Sequence, residues 1–231
     1  MVYDPRMSSP FAIKICGLST PETLEAALGA GADMVGLVFH PRSPRFVTPE
    51  RAAELAAMAR GRVAIVALLV DPEPEAAAAL ASALRPDWLQ LHGRETPEKV
   101  AAVATATGLL VMKALGIGEQ ADLDAIAPFA SVADRILLDA KPPRDAAFPG
   151  GHGRAFDWTL LAGLDPALRF MLSGGLDPAN VAEAIRIARP AGVDVSSGVE
   201  RAPGVKDPER IIRFVTAARA AAAQLDKAEQ A

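Results

Sequence analysis

Short runs rich in β-branched and large apolar residues alternate along the chain with alanine-rich amphipathic stretches. The apolar runs predict strands at Ala12–Cys16, Met34–Phe39, Val63–Val70, Trp88–Leu91, Leu110–Ala114, Arg135–Leu138, Phe170–Ser173 and Val193–Ser196. The stretches between them predict helices over Pro21–Ala30, Pro49–Met58, Glu73–Leu84, Pro97–Ala106, Ala121–Ala127, Pro178–Ala188 and Pro208–Ala223. Two of these open on the same signal, Thr20-Pro21-Glu22 and Thr48-Pro49-Glu50. The threonine suits an N-cap, and proline suits the first helical position, where no N–H is needed.

Eight strand–helix units of about thirty residues each imply parallel βαβ connections. The strand runs are apolar almost throughout, as expected of strands buried on both faces. Eight units in 231 residues is the size of an α/β fold of the (β/α)₈, or TIM, barrel type. A doubly wound open sheet is the rival, and no GxGxxG follows the first strand to favour it. No proline- or glycine-rich linker divides the chain, so one domain spanning 1–231 is expected, with the barrel proper at about 11–218. Residues 1–10 and 224–231 read as frayed ends. The segment Ala140–Asp157 reads as one long loop over the barrel, of the kind that serves as a lid.

Composition narrows the function. Charged residues make up 23% of the chain and the net charge is −4, without the basic footprint of a nucleic-acid binder. The longest strand-like apolar run, Val63–Val70, is far short of the ~20 residues of a membrane helix. The first residues, MVYDPRMSSPF, lack the apolar core of a secretion signal, so a cytoplasmic protein is expected. The single cysteine excludes an internal disulfide, and His40, His92 and His152 show no metal-ligand spacing, so no metal is expected.

In such a barrel the chemistry sits where strands end and βα loops begin. Strand one ends at Cys16-Gly17, strand four at His92-Gly93 and strand six at Asp139. Strand seven ends at Ser173-Gly174-Gly175 and strand eight at Ser196-Ser197-Gly198. The last two loops let backbone amides approach an anion closely, which points to a phosphate site at Gly174, Gly175, Ser197 and Gly198 rather than to tight turns alone. The segment Gly151-His152-Gly153-Arg154 could close over the same anion. Cys16 fits two readings, a buried small hydrophobe or a proton-transfer group, and Lys14 shares its face of the strand. If that face is the interior, Lys14 would favour the thiolate unless a partner such as Asp194 neutralises it. Asp139 suits a general acid or a loop anchor. Arg45 suits a carboxylate clamp or a surface charge, and His92 a substrate contact or a bond to a loop carbonyl.

Taken in order, the blocks KICG at Lys14–Gly17, GADMVGLVF at Gly31–Phe39, SPR at Ser43–Arg45, QLHG at Gln90–Gly93, LLD at Leu137–Asp139, FDW at Phe156–Trp158, LSGGL at Leu172–Leu176 and VDVSSGVE at Val193–Glu200, followed by Pro203-Gly204, resemble the phosphoribosylanthranilate isomerase family. The resemblance spans about residues 11–218 and implies a single (β/α)₈ barrel acting without a cofactor in tryptophan biosynthesis. The implied reaction is an Amadori rearrangement of N-(5-phosphoribosyl)anthranilate to 1-(2-carboxyphenylamino)-1-deoxyribulose 5-phosphate. The resemblance makes Asp139 the general acid and Cys16 the general base. It also implies that Arg45 and His92 meet the substrate, and that amides around Gly153, Arg154, Gly174, Gly175, Ser197 and Gly198 hold its phosphate. Members can be monomers or homodimers, and the only expected partner is the small-molecule substrate. The sister Amadori isomerase of histidine synthesis and a non-catalytic sugar-phosphate-binding barrel are the alternatives; the former is expected to carry aspartate where this chain has Cys16.

Overall fold

The computed structural model describes residues 11–141, 150, 153, 155–165 and 167–229. Eight parallel strands close into a barrel in chain order. They are β1 Ala12–Cys16, β2 Met34–Val38, β3 Ala64–Leu69, β4 Trp88–Leu91, β5 Leu110–Ile117, β6 Arg135–Ala140, β7 Phe170–Leu172 and β8 Gly192–Val195. A two-stranded antiparallel ribbon follows, β9 Glu200–Ala202 and β10 Val205–Lys206. The helices are α1 Pro21–Ala30, α2 Pro49–Ala59, α3 Pro74–Leu84, α4 Pro97–Thr107, α5 Ala127–Ala130, α6 Val181–Ala188 and α7 Pro208–Glu229. The expected barrel is the observed one. Among the described residues no helix is long and apolar enough to cross a membrane.

Alternation along each strand decides what faces where. Ile13 and Ile15 of β1 point outward, into one large cluster with Leu24 and Ala27 of α1 and Phe214 of α7. The inward positions Ala12, Met34, Ala64, Trp88, Met112, Leu137 and Met171 fill the lower interior. Cys16, Val38 and Leu68 form a smaller apolar group at the upper end. Strands with both faces covered give the near-continuous apolar runs seen in the sequence.

Two backbone devices set the register. Thr20, Thr48 and Thr96 each accept the N–H three residues on, ahead of a proline that opens α1, α2 and α4. At the other end of the barrel, a carboxylate placed just before an even strand accepts an N–H of the odd strand beside it. Asp33 accepts from Ile13 at 2.7 Å, Asp87 from Ile65 at 2.8 Å and Asp134 from Val111 at 2.8 Å.

The structure departs from the pattern reading at a few places, each with a cause. The helix expected over Ala121–Ala127 is a 3₁₀ segment, Gln120–Ala125, followed by the short α5. Asp122 accepts the N–H groups of Gly118 and Glu119, a local alternative to helical bonding, and Pro128 has no N–H to continue a ladder. Helix α6 begins at Val181 rather than Pro178, because Asp177 and Asn180 bond each other's backbone in a turn first. Strand β5 runs past Ala114 to Ile117, held by Asp139 and Ala140 of β6 opposite Gly116 and Ile117. Helix α7 continues to Glu229, so 224–229 are helical rather than frayed, and residues 1–10 lie outside the described residues.

A buried ion pair sits on the seam of the barrel. Lys14 is wholly buried on β1, opposite Asp194 of β8, with Nζ 2.8 Å from Oδ1. Burial pushes the ammonium down, but Asp194 and Cys16 outweigh it, so Lys14 lies above the ordinary lysine range. Replacing Lys14 alone with Met strands a buried carboxylate and is expected to cost about 3–5 kcal/mol, read from the urea midpoint. The double variant Lys14→Met/Asp194→Leu should recover most of that loss. Equal instability of both variants would show that the pair is not what sets the cost.

Candidate active site

The C-terminal ends of the barrel strands surround a cleft of about 640 Å³, open to solvent. Cys16 of β1, Arg45 of the loop after β2, His92 after β4, Asp139 of β6, Gly174 and Gly175 after β7 and Ser197 after β8 all line it. These are sequence-selected residues, brought together by strands far apart in the chain. Gly153 lies beside Ser197, where an added Cβ would be 3.7 Å from the Ser197 hydroxyl. Gly198 adjoins the cleft wall and packs against the backbone of Leu176 and Asp177. Arg154, with Gly151 and His152, lies outside the described residues.

Cys16 is 4% exposed and packs on Val38 and Leu68. Gly36 of β2 makes room for it: a Cβ there would stand 2.8 Å from Sγ. Burial pushes the Cys16 thiol up; Lys14 and Lys206 pull it down and Asp194 pushes it up again. Burial wins, because Asp194 takes up the Lys14 charge that would otherwise favour the thiolate. The sequence reading allowed a pre-ionised thiol; in this site the thiol is the resting form.

Asp139 is 5% exposed across the mouth. Its Oδ1 accepts the N–H of Ala140, the last residue of β6, at 2.8 Å. Its Oδ2 lies 3.2 Å from Nε2 of His92, whose Nδ1 is 3.1 Å from the Gln90 amide nitrogen. His92 therefore lies against a carboxylate, with no hydrogen bond to a loop carbonyl among the described residues. Gly150 covers this pair closely: a Cβ there would stand 2.8 Å from both Asp139 Oδ2 and His92 Cε1.

Arg45 is not a surface charge. It is 5% exposed, and its Nε and Nη2 donate to the two oxygens of Glu200 at 2.7 and 2.9 Å. Gly17 lets it lie there, since φ is +77° and an added Cβ would meet Arg45 Cδ at 2.7 Å. Gly174 and Gly175 both take left-handed φ, at 84° and 65°. Gly174 also presses on the backbone of Ala140, so its lack of a side chain serves packing as well as any ligand.

Sequence reasoning missed Gln90, Glu200 and Lys206 as members of this site. Gln90 is buried and lines the cleft, and its amide oxygen has no hydrogen-bond partner among the described residues. Glu200 and Lys206 stand in the ribbon after β8. Their only signal was an acidic and a basic residue six apart around Pro203-Gly204, which names no partner.

Comparison with known proteins places this geometry. Residues 13–217 match the family model described as N-(5'phosphoribosyl)anthranilate (PRA) isomerase. An N-(5'-phosphoribosyl)anthranilate isomerase of Afipia carboxidovorans is 61% identical over 209 residues, covering 90% of this chain and 89% of that protein. A crystal structure of phosphoribosylanthranilate isomerase in complex with reduced 1-(o-carboxyphenylamino)-1-deoxyribulose 5-phosphate aligns with a TM-score of 0.80 and 35% identity, over 91% of this chain and 99% of that one. Monomers generated from the dimeric enzyme of Thermotoga maritima align with a TM-score of 0.80 and 36% identity, over the same shares.

The buried thiol has a direct chemical readout. Because Cys16 is the only cysteine, alkylation by a small haloacetamide reports on it alone. The rate is expected to be low at neutral pH and to rise with a midpoint above the ordinary thiol value of 9.0. A midpoint below that value, measured by mass spectrometry across a pH series, would mean that the Lys14 charge prevails over burial.

Proposed function

The chain belongs to the N-(5'-phosphoribosyl)anthranilate isomerase family and carries out that isomerisation in tryptophan biosynthesis, and on that premise we propose how its own residues divide the work. Asp139 is the general acid. It delivers a proton to the furanose ring oxygen, and the ring opens to a Schiff base between the former anomeric carbon and the anthranilate nitrogen. The cationic imine acidifies the hydrogen on C2. The thiolate of Cys16, formed from the resting thiol by loss of its proton to solvent, removes that C2 proton to give an enolamine, which tautomerises to the 1-deoxyketone.

The observation that carries this reading is the shared cleft: Cys16 and Asp139 line one mouth from β1 and β6, with β7 and β8 between them. Two proton transfers at different atoms of one sugar need an acid and a base on different walls. A buried thiol of raised pKa is a poor acid and, once ionised, a strong base. Each such group is worth about 10²–10⁴ in rate. His92 holds the Asp139 carboxyl in place through Oδ2 and meets the sugar beside it.

Arg45 meets the anthranilate carboxylate with its planar fork. The phosphate rests on amides around Gly153, Arg154, Gly174, Gly175, Ser197 and Gly198, where φ at Gly153, Gly174 and Gly175 is positive and the backbone of adjacent loops converges. The reaction is acid–base chemistry on the substrate's own atoms and calls for no cofactor or metal. We read the chain as one barrel domain at work in the cytoplasm, as a monomer or a homodimer.

The test is turnover of phosphoribosylanthranilate generated in situ, followed by loss of its fluorescence against a no-enzyme control. Cys16→Ala and Asp139→Asn are each expected to lower kcat by about 10²-fold or more while circular dichroism and the urea midpoint stay near the parent's. Full turnover in either variant removes that residue from its role. Arg45→Ala is expected to raise KM about tenfold or more, with a smaller fall in kcat. Turnover of the histidine-pathway aminoaldose instead, with none of phosphoribosylanthranilate, would replace the substrate assignment.

A further inference from the structure

The ribbon after β8 carries a buried network that reaches the Arg45 loop and the carbonyl of Cys16. Glu200 opens it and Lys206 closes it, and both are buried, at 6% and 3% exposure. Lys206 Nζ donates to Glu200 Oε1 at 2.7 Å, to the Ser196 carbonyl at 2.9 Å and to the Ser196 hydroxyl at 3.0 Å. An ammonium has three protons, and here each has an acceptor. Glu200 in turn accepts Nε and Nη2 of Arg45 and the N–H of Gly204. Ser196 donates to the carbonyl of Cys16 at 3.1 Å. The ribbon tip is seated against the loop that carries Arg45, because Gly204 lies directly on the Pro44 carbonyl.

We propose that Glu200 and Lys206 are positioning residues for substrate carboxylate recognition, acting through Arg45: the ribbon is a clamp that fixes the plane of the guanidinium. The inference rests on the carboxylate role of Arg45 given above and extends it to residues that need not touch the substrate. A long arginine side chain in a solvent-facing loop samples many rotamers, and ordering it on binding costs affinity. Glu200 grips one edge of the fork with two charge-assisted bonds, which fixes both direction and plane. A carboxylate so placed needs its own counter-charge or it would neutralise the arginine's attraction for the ligand. Lys206 supplies that charge. The cluster Arg45–Glu200–Lys206 carries one net positive charge, which favours a carboxylate nearby. Burial raises the Glu200 pKa, but Arg45 and Lys206 together hold it below the ordinary glutamate range, and so ionised. Burial brings Lys206 down to about 8, partly offset by Glu200.

The experiment is a double-mutant cycle in the turnover assay on the full chain, with Glu200→Gln, Arg45→Ala and the pair. Glu200→Gln keeps shape and removes charge. It is expected to raise KM about tenfold with kcat within about threefold. In the Arg45→Ala background it should change kcat/KM by no more than about twofold, since the residue it acts through is gone. Competitive inhibition by inorganic phosphate, which probes the opposite end of the substrate, should be unchanged within about twofold in Glu200→Gln. Lys206→Gln enters the same cycle with the same expected rise in KM, read apart from the fall in kcat that follows from losing the Lys206 charge near Cys16, and carries the test through KM if Glu200→Gln does not fold. Effects that multiply with Arg45→Ala, loss of phosphate affinity alongside, or unchanged kinetics would each overturn the clamp. If Arg45→Ala itself leaves KM untouched, the carboxylate assignment falls and the clamp falls with it. If Arg45→Ala is impaired and only the cycle fails, the assignment stands and the clamp alone is lost.

Discussion

The contact between Lys14 and Asp194 bears on every other part of the molecule. It joins the first strand to the last, residue opposite residue, and so lies on the seam that closes the barrel. Two charges taken out of water cost several kcal/mol each, and only tight mutual pairing offsets that. The pair is therefore a weak source of stability and a strict condition on register. A slip of one residue between β1 and β8 would bury both charges unpaired. The same contact lies one turn of the pleat below Cys16, so closure of the fold and the state of the thiol are set together.

That coupling explains why a lysine so near the cysteine does not leave it ionised. Taken alone, the Lys14 charge would favour a thiolate, and taken alone, Asp194 would oppose one. Bound to each other they act on the thiol in opposite directions, and burial, the largest influence, decides. The thiol then waits as a neutral group in an apolar seat made by Val38, Leu68 and the open space above Gly36. On the far wall, Asp139 accepts the N–H of Ala140 and lies against the His92 ring.

Much of this was legible in the chain. Strand positions followed from apolar runs because both faces of each strand are covered, and helix starts followed from the threonine–proline–glutamate signal at Thr20 and Thr48. Cys16 and Asp139 stood out because a polar residue ending an apolar strand must lie at one rim of a parallel barrel. What stayed hidden depended on distance in sequence. The Arg45–Glu200 pair spans 155 positions, and nothing local to either residue names the other. On sequence physics alone Arg45 therefore read first as a surface charge. The failed helix over Ala121–Ala127 has a different cause: its composition is helical, but Asp122 offers nearby amides a competing bond that a pattern of apolar positions does not register.

The aspartates at the lower rim divide the barrel unevenly. Asp33 ties β2 to β1, Asp87 ties β4 to β3 and Asp134 ties β6 to β5, but Ala191 stands at the corresponding place before β8 and has no carboxylate to offer β7. The last pair also has the shortest register, with only Met171 opposite Gly192 and Leu172 opposite Val193. Three quarters of the barrel are thus stapled, and the fourth is held by few bonds. In native-state hydrogen exchange such a quarter opens at lower free energy than its neighbours. It is also the quarter whose loops, on the reading proposed above, hold the phosphate. An anion that binds only the closed form stabilises that form in proportion to its own affinity, so on that reading the substrate would complete the least secured wall of the barrel.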